Sequence, residues 1–398
     1  MTTFRKIDDE LISLGGNERR AFNFENLYPV ENGISYNSYL LLDEKTVLLD
    51  TVDREVSEVF MENLIAALDG RTLDYLVINH MEPDHCATIP QVTRAYPEVK
   101  VVGNAKTFMM IKQFYDLDLS DRAIVVKDMD TLEIGKRTLT FIFAPFVHWP
   151  EVMVTYVPQD KTLFSADAFG TFGALCGELY ADELDFEKDY LDEARRYYTN
   201  IVGKYGTNVN NLLKKAATID IERICPLHGP IFRKDIGRII DKYSKWATYQ
   251  PEESGVVIPY GSIYGNTEAA ADYFATKLNE MGVKNIKLFD VSSTHFSYIL
   301  SECFKYDKAV FFVPTYNLEI FPYMDLLLKE LEIHNLQNRK FGIVENGTWA
   351  PTALKQTRAI LEKIKNTTIF ETTVTIKSAM SEENKLQLDK LAEEVANA

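Results

Sequence analysis

The stretch Asn79-His80-Met81-Glu82-Pro83-Asp84-His85 directly follows the apolar run Leu73–Ile78 and holds four potential metal ligands within six residues. A short apolar run of this kind predicts a buried strand, so these ligands stand at the carboxyl end of that strand. His80, Glu82 and Asp84 alternate along the chain, and an extended turn would therefore direct them to two adjacent metal ions. Pro83 stiffens the turn and is expected to prevent it from continuing as regular structure.

Three further candidate ligands, His148, Asp167 and His228, stand downstream in strand-to-loop positions. The chain has six histidines, and four of them belong to this set or to residues 79–85. A single histidine is more often a structural residue than a ligand, but the combined set is far more specific. The seven residues together therefore predict a metal site.

The length of 398 residues favours two domains over one. A polar segment, Gln250–Gly255, follows the helical pattern Asp235–Tyr249 and precedes an apolar run, which is typical of a linker. We therefore predict one domain over residues 1–250 and a second over residues 251–398. Hydrophobic residues make up 46% and charged residues 26% of the chain, as in ordinary folded proteins, which excludes a disordered or collagen-like protein.

The formal net charge is −16, from 43 basic and 59 acidic residues. Such a charge argues against binding to nucleic acid or to an anionic membrane surface. Residues 1–10 show no signal-peptide pattern, and no apolar run approaches the ~20 residues of a membrane helix, so we expect a cytoplasmic protein. The cysteines form no C-x-x-C pair, which excludes a rubredoxin-type iron site, and they are expected to be free buried thiols. They are Cys86, Cys176, Cys225 and Cys303.

The second part of the chain alternates apolar strands with amphipathic helices, which predicts an α/β fold with a doubly wound parallel sheet. The predicted strands are Val256–Tyr260, Asn285–Asp290, Lys308–Val313, Lys340–Glu345 and Thr367–Ile376. The predicted helices are Thr267–Met281, Ser297–Phe304, Met324–Leu331, Ala353–Ile364 and Ser381–Val395.

The first part has closely spaced β-type runs with few helical segments between them. Adjacent runs are therefore expected to form hairpins, and a two-layer α+β architecture fits best. The runs are Ile34–Leu42, Thr46–Asp50, Tyr75–Ile78, Lys100–Val102, Thr138–Phe143, Val152–Val157 and Thr162–Ser165.

A turn rich in glycine and hydroxyl groups, Gly261–Thr267, joins the first strand of the second part to its first helix. Backbone N–H groups at a helix N-terminus favour an anion, so the turn is a candidate phosphate site. It lacks the Gly-Lys-Ser/Thr of a P-loop and the G-x-G-x-x-G of NAD-binding proteins. Two later loops, Pro314–Asn317 and Asn346–Trp349, also follow strands, where open α/β sheets bind ligands.

The metal motif resembles that of the metallo-β-lactamase superfamily, H-x-H-x-D-H, except that Glu82 replaces the second histidine. A carboxylate makes the site harder and better suited to iron than to zinc. The variant H-x-E-x-D-H resembles the flavodiiron proteins. That resemblance implies two iron ions per chain, one held by His80, Glu82 and His148, the other by Asp84, His85 and His228, with Asp167 bridging them.

The second part resembles flavodoxin, which implies FMN as a cofactor. The phosphate loop matches Ser262, Ile263, Tyr264, Gly265, Asn266 and Thr267, and the ring-facing loops match Pro314, Thr315, Tyr316, Asn317, Asn346, Gly347, Thr348 and Trp349. The last loop reads Glu345–Pro351, which departs from the G-S-x-G-W pattern of many flavodiiron proteins. The implied fold is a metallo-β-lactamase-like αββα sandwich followed by a flavodoxin-like sheet.

The family resemblance implies an oxidoreductase that reduces O2 to water or NO to N2O and water, in the minimal two-domain form. It also implies a redox donor, such as rubredoxin or an NADH-dependent reductase, and a head-to-tail homodimer or a dimer of dimers. Two alternatives stay open: a binuclear zinc hydrolase with a flavodoxin-like regulatory domain, and a non-enzymatic flavin electron carrier.

The sequence also suggests roles for five individual residues. His295 and His334 are expected to be structural or surface residues. Tyr197 and Tyr198 either pack one face of a helix, which we favour, or form hydrogen bonds near the metal ions. Trp349 either contacts the flavin ring or a second subunit, or packs in the core.

Overall fold

The computed structural model describes residues 2–398, which divide into two units. The first comprises the described residues up to Tyr198 together with Thr207–Tyr243. The second comprises Thr199–Gly206 and Ser244–Ala398. The domain boundary between residues 250 and 251 stays a prediction of the sequence.

The first unit contains a seven-stranded sheet in the order β1-β2-β7-β8-β9-β10-β11, a five-stranded sheet in the order β12 to β16, and two short ribbons, β3-β6 and β4-β5. The strands are β1 Arg5–Lys6, β2 Leu11–Ser13, β3 Gly16–Glu18, β4 Asn23–Phe24, β5 Tyr28–Pro29, β6 Ile34–Tyr36, β7 Tyr39–Leu42, β8 Thr46–Leu49, β9 Tyr75–Val77, β10 Lys100–Gly103, β11 Ala123–Val125, β12 Thr131–Glu133, β13 Thr138–Phe143, β14 Met153–Val157, β15 Thr162–Phe164 and β16 Arg223–Cys225.

The two sheets share one apolar core. Tyr39 and Val77 of the first sheet and Phe141 and Phe164 of the second are buried in the same cluster. The predicted two-layer sandwich is therefore confirmed. The helices of this half of the chain are α1 Ser57–Leu68, α2 Pro83–Cys86, α3 Ile89–Ala95, α4 Ala105–Tyr115, α5 Phe186–Asp189, α6 Leu191–Tyr197, α7 Gly206–Ala216 and α8 Ile236–Ala247. Short 3-10 turns span Arg54–Val56, Ala181–Glu183 and Gly203–Tyr205, and a π-helix spans Tyr198–Val202.

The expected hairpins are present only in part. Strands β7 and β8 form one, and β13, β14 and β15 pair antiparallel, but β8, β9, β10 and β11 are parallel. The prediction was wrong there because helices α1, α3 and α4 lie between these strands in the chain, and parallel strands require such crossovers. The run Ile34–Leu42 divides because the Asn37 side chain donates to Pro226 and Gly229 carbonyls.

The second unit has a sheet in the order β18-β17-β19-β21-β22, in which all neighbours are parallel; β23 also pairs with β21, and β20 pairs antiparallel with β19. Its strands are β17 Glu253–Tyr260, β18 Ile286–Asp290, β19 Tyr306–Tyr316, β20 Glu319–Ile320, β21 Lys340–Asn346, β22 Thr368–Ile369 and β23 Val374–Ile376. Its helices are α9 Asn266–Glu280, α10 Phe296–Lys305, α11 Pro322–Ile333, α12 Ala353–Leu361 and α13 Glu382–Ala396.

Helices cover both faces of this sheet. Phe274 of α9 and Leu391 of α13 share a buried cluster with Phe312 and Val344 of the sheet. Helices α10, α11 and α12 pack side by side, with α10 on β19 and α12 on β21. The doubly wound fold is thus confirmed.

Two details of the second unit differ from the prediction. Strand β17 already begins at Glu253, inside the expected linker. The expected strand Thr367–Ile376 splits in two because the backbone N–H and the hydroxyl of Thr372 both donate to Glu394, which holds this segment away from β21.

The thiols follow the prediction in part. All four cysteines are free, and Cys86, Cys225 and Cys303 are buried. Cys176 is exposed, so its predicted burial was wrong: it lies in the loop between β15 and α5. No helix between residues 2 and 398 combines the length and the apolar character that crossing a membrane requires.

Candidate metal centre and phosphate-binding loops

The predicted ligand stretch begins where β9 ends. Asn79, His80 and Met81 form a non-helical segment, and helix α2 starts at Pro83. The expectation that Pro83 prevents regular structure was wrong, because proline fits the first turn of a helix, where its missing N–H is not needed. His80 and Glu82 precede this short helix and belong to one ligand group, whereas Asp84 and His85 lie within it and belong to another.

The first group consists of His80, Glu82, His148 and Asp167, all buried. Nε2 of His148 lies 2.9 Å from Oε2 of Glu82 and 3.2 Å from Oδ2 of Asp167. Nε2 of His80 lies 3.3 Å from the same Glu82 oxygen and 3.2 Å from the same Asp167 oxygen. Four ligand atoms from three parts of the chain thus converge on one point.

The second group consists of Asp84, His85 and His228, also buried. Nε2 of His85 lies 3.1 Å from Oδ2 of Asp84, and Nε2 of His228 lies 3.2 Å from that same oxygen. Oδ1 of Asp167 lies 3.1 Å from Nε2 of His85 and 3.8 Å from Nε2 of His228. Asp167 therefore turns one carboxylate oxygen to each group.

The donor set fits a pair of metal ions. Nε2 of His85 lies 3.0 Å from Nε2 of His228. Two nitrogen atoms that bind the same metal ion, each with a bond of roughly 2.1 Å, are separated by about this distance. Both carboxylate oxygens of Asp84 and of Asp167 are buried, and within residues 2–398 no donor completes a hydrogen bond to them. Buried carboxylates without hydrogen bonds are costly, and a bound cation would satisfy them.

The electrostatics of the site favour cations. Burial would lower the pKa of His85, but the carboxylates of Asp84 and Asp167 raise it to about 10. Burial would likewise raise the pKa of Asp167, but His80 and His85 hold it well below its usual value. The carboxylates thus stay ionised among the imidazoles.

Three groups outside the predicted set hold the ligands in place. Nδ1 of His80 donates to Oε1 of Glu151 at 2.8 Å, and Nδ1 of His228 donates to the Ser35 carbonyl at 2.7 Å. Each bond leaves the ring's Nε2 free for the metal. Asp50 accepts from the backbone N–H groups of Asn79 and His80 at 2.7 and 3.1 Å, and burial raises its pKa to about 6.

Sequence reasoning missed these three residues. Glu151 had a local signal, since it stands three residues after His148 and an acidic partner for a histidine ligand is common in metal sites. Ser35 acts through its backbone carbonyl, for which the sequence offers no signal.

Two residues border the same space. Tyr197 packs its ring against Phe172 and His228, at centroid distances of 5.1 and 5.3 Å, so the favoured packing role is present. Its hydroxyl is nevertheless fully buried, and no described residue offers it a hydrogen-bond partner. Glu25, at the tip of the β4-β5 hairpin, is an exposed residue, but the desolvation of its carboxyl group and the nearby Glu82 raise its pKa to about 9. The Tyr198 ring instead lies 5.0 Å from that of Tyr243.

The candidate phosphate loop lies at the carboxyl end of β17. The Ser262 hydroxyl accepts from the N–H of Gly265 at 3.0 Å and of Glu268 at 3.3 Å, which folds the loop back over the start of α9. Gly265 precedes Asn266, the first residue of α9, and has a φ of 88°, which favours glycine. Ile263 and Tyr264 are 43% and 92% exposed, so the loop presents side chains to a ligand or a partner.

The other two loops lie at the ends of β19 and β21, beside the first. The Thr315 hydroxyl accepts from the N–H groups of Thr352 and Ala353 at 3.0 and 3.2 Å. Pro314 pairs with Asn346 across the sheet, and Asn346 donates to the Thr267 hydroxyl at 3.2 Å. The structure therefore brings all three predicted loops to one edge.

A fourth segment, missed from the sequence, completes this edge. Ser378 donates its N–H to Asn346 at 3.0 Å, and its hydroxyl lies 3.1 Å from that of Thr348. The N–H of Gly347 donates to Ile376. In the ring-facing loops Tyr316 is 45% and Trp349 79% exposed, so core packing of Trp349 was wrong. Asn317, which follows Tyr316, has a φ of 52°.

The two remaining histidines have structural roles, as predicted. His295 caps helix α10 through the N–H of Ser297. Nε2 of His334 lies 3.1 Å from the Asn200 carbonyl oxygen.

Comparisons with known proteins agree with both halves of the chain. The family described as ODP family beta lactamase matches residues 34–229, and the flavodoxin family matches residues 258–388. A nitric oxide reductase from Moorella thermoacetica is 36% identical over 310 residues, which is 76% of this chain and 75% of the relative.

Two solved structures cover nearly the whole chain. Rubredoxin oxygen:oxidoreductase from Desulfovibrio gigas is 29% identical, with a TM-score of 0.93 over 99% of this chain and 98% of that one. The flavodiiron protein from Giardia intestinalis is 26% identical, with a TM-score of 0.94 over 100% of this chain and 97% of that one.

Proposed function

Because this chain belongs to the flavodiiron proteins, oxidoreductases that hold FMN and a diiron centre, we propose that it reduces O2 to water, NO to N2O and water, or both. One observation carries the proposal. The two oxygens of Asp167 face two separate ligand groups, which is the arrangement that a carboxylate bridging two metal ions requires. Two adjacent ions can bind a small diatomic molecule between them.

We assign the ligands by their grouping. His80, Glu82 and His148 would hold one iron, Asp84, His85 and His228 would hold the other, and Asp167 would bridge them. Each ion then has two imidazoles and carboxylate oxygen, a set that suits iron. The set supports iron over the dizinc centre of a hydrolase because Glu82 supplies oxygen where those enzymes have nitrogen.

Iron and flavin supply the redox chemistry, and the protein positions and protects it. Glu151 and the Ser35 carbonyl fix the orientation of His80 and His228. The ring of Tyr197 packs against that of the ligand His228, and its buried, unpartnered hydroxyl would be available to donate a hydrogen bond to a small ligand beside the metal ions. Phe24 and Phe172 give the site an apolar wall; the Phe24 ring lies 5.5 Å from that of His228.

FMN binds at the edge formed by the three loops of the second unit. Residues 262–267, at the start of α9, would hold the phosphate through N–H and hydroxyl groups. Residues 314–317 and 346–349 would hold the ring, and the exposed Tyr316 and Trp349 would be available to cover it. Asn346 links both sets through the Thr267 hydroxyl.

A second copy of the chain is part of the proposed enzyme. Apolar side chains stand exposed beside both sites: Tyr264 and Trp349 next to the flavin loops, and Phe22, 90% exposed, beside the hairpin that carries Glu25. Removing such apolar surface from water against a partner would be favourable. A head-to-tail homodimer, or a dimer of such dimers, would cover both. Rubredoxin or an NADH-dependent reductase would supply the electrons.

The proposal is tested by gas consumption. Iron- and FMN-loaded protein is reduced without air, given an artificial donor in excess, and exposed to O2 or NO in parallel electrode cells. Rapid consumption of either gas is expected, and the ratio of the two rates identifies the preferred substrate. Consumption of neither gas by iron-loaded protein would overturn the proposal in favour of a hydrolase or an electron carrier.

Two variants test the assignment of the site. Asp167→Ala should lose the paired irons while keeping the flavin spectrum, because the flavin loops belong to the other unit. Loss of both cofactors would contradict the division of roles between the units. Glu82→His should weaken iron binding and oxidase activity, and unchanged values would show that Glu82 does not select the metal.

A further inference from the structure

A tryptophan lies directly against the ligands of the first metal group. Trp149 follows His148 in the chain, and its ring centroid lies 5.5 Å from that of His80, edge-on at 89°, and 6.2 Å from that of His148. The side chain is half-buried, so one side of the indole faces the ligands while another reaches solvent. None of the roles described above uses this residue.

The aromatic contact continues along helix α4. The Phe114 ring stacks on Trp149, with centroids 6.4 Å apart and planes within 12°, and lies 5.9 Å from the ring of Tyr115. The Tyr115 hydroxyl is 3.0 Å from Sγ of Cys86, the residue after His85. Oxidisable side chains therefore lie close to the ligand stretch: Trp149 contacts His80 and His148, and Tyr115 contacts Cys86, which follows His85 in the chain.

We propose that Trp149 and Tyr115 are a protective electron reserve, which supplies an electron to the metal centre when the flavin cannot. This inference rests on the proposed function, since the reduction of O2 creates the hazard. If the reduction of O2 stops before water is formed, the metal centre is left one electron short, and it can then take that electron from an imidazole ligand. Indole and phenol lose an electron more easily than imidazole does, so these rings are oxidised before the ligands.

The step balances for electrons and protons. Trp149 gives one electron to the metal centre and its indole N–H proton to water, which leaves a neutral indole radical. A low-molecular-weight thiol then returns one electron and one proton to the indole. Two such events oxidise two thiols to one disulfide. The Trp149 ring contacts His80 on one side and Phe114 on the other. Phe114 is 44% exposed, so this line of rings reaches from the metal ligands to the solvent where the thiol acts.

The experiment limits the supply of electrons. Iron- and FMN-loaded protein is reduced, freed of excess donor, and treated with O2 or with hydrogen peroxide in separate runs. Samples frozen early are examined by EPR for tryptophan and tyrosine radicals, and later samples by peptide mass spectrometry for oxygen added to side chains. We expect radicals and oxidation at Trp149 and Tyr115 that require iron and are suppressed by a thiol.

Variants locate the reserve. Trp149→Phe and Tyr115→Phe keep a ring at each position and should each remove their own radical signal. Trp149→Phe should also increase oxidation of His80 and His148 and shorten the life of the enzyme several-fold. Tyr96→Phe, a half-buried tyrosine at the end of α3, is the matched control and should change nothing. Iron and flavin content confirms that each variant is folded.

Two outcomes would overturn the inference. One is oxidation that follows exposure alone, with Trp349 oxidised first and iron-free protein equally affected. The other is an unchanged pattern of damage in Trp149→Phe and Tyr115→Phe. Peroxide separates this inference from the proposed function: iron-dependent oxidation of Trp149 in protein that consumes neither O2 nor NO would support the reserve and reject the reductase.

Discussion

Nδ1 of His80 donates a hydrogen bond to Oε1 of Glu151 at 2.8 Å, and the same oxygen accepts from the N–H of Met81 at 2.8 Å. Glu151, whose own side chain is buried, thus fixes the ring of a proposed iron ligand and the backbone of the residue that follows it.

We expect Glu151→Ala to weaken iron binding by roughly 10-fold to 100-fold, because His80 loses its orienting partner. Glu151→Gln should lose less iron affinity, since its amide oxygen can still accept a hydrogen bond from Nδ1 of His80. Chelator competition measures the affinity of each variant. Glu133→Ala, an exposed glutamate of β12, is the matched control. Equal iron affinity in Glu151→Ala and Glu133→Ala would show that the hydrogen bond does not orient the ligand.

Tyr197→Phe removes a buried hydroxyl that has no hydrogen-bond partner among the described residues. Burial and then the Asp167 and Asp84 carboxylates raise the pKa of Tyr197 well above its usual value, so the phenol remains a donor. A donor to a charged ligand contributes about 1.5–3 kcal/mol, so turnover should fall roughly 10-fold to 100-fold.

The stability of the Tyr197→Phe variant distinguishes this role from packing. Deleting an unpaired buried hydroxyl while keeping the ring should leave thermal unfolding unchanged or slightly improved. A variant that is clearly less stable, with unchanged turnover per iron, would mean that Tyr197 only packs against Phe172 and His228.

Asn346→Ala should weaken FMN binding. Its side chain donates to the Thr267 hydroxyl at 3.2 Å and to the Ser378 carbonyl at 2.9 Å, and it accepts from the Ser378 N–H at 3.0 Å. Losing three bonds of about 1 kcal/mol each would loosen the loops that hold the flavin. We expect a loss of affinity of roughly 10-fold or more, measured by quenching of FMN fluorescence in flavin-free protein.

Asn279→Ala is the control for this variant, since Asn279 lies exposed near the end of α9, in the same unit. An Asn346→Ala protein that binds FMN as tightly as the Asn279→Ala protein would show that the loops are held without Asn346.

The candidate metal residues were predictable because most follow strands, and the ends of neighbouring strands meet. His80 follows β9, Asp167 follows β15 and His228 follows β16. The supporting groups were not predictable in the same way. Ser35 contributes a carbonyl and Asp50 binds backbone N–H groups, so their roles depend on distances that only the folded chain sets.

The fold was predictable where hydrophobic periodicity and connections agree. The second unit follows its alternating pattern closely, except at residues 370–373, where the contacts of Thr372 with Glu394 interrupt the strand. In the first unit strands β8, β9 and β10 were predicted, but their parallel pairing was missed because the helices between them are short or weakly amphipathic. The Pro83 turn was missed because proline both ends and begins helices.

Asp43 gives the first unit a stability that depends on pH. Its buried carboxylate accepts from the N–H groups of Glu44 at 2.7 Å, Lys136 at 3.1 Å and Arg137 at 3.0 Å. Burial raises its pKa, but these N–H groups and the Arg137 guanidinium lower it by more, so that the net pKa lies below the usual value. The ionised form therefore favours the folded state.

The sign of the effect follows from this depressed pKa. The contribution of Asp43 is fully present above its unfolded pKa of about 3.9 and is lost as the pH falls through the lower folded value. We expect Asp43→Asn to lower the free energy of unfolding by about 1–3 kcal/mol at pH 7, because an amide cannot accept all these bonds. The difference from wild type should shrink below about pH 4. Denaturant unfolding at several pH values measures this difference in the free energy of unfolding. Asp121→Asn, at an exposed aspartate, is the control. A difference that stays constant down to pH 3 would mean that the charge of Asp43 contributes nothing and that only its shape matters.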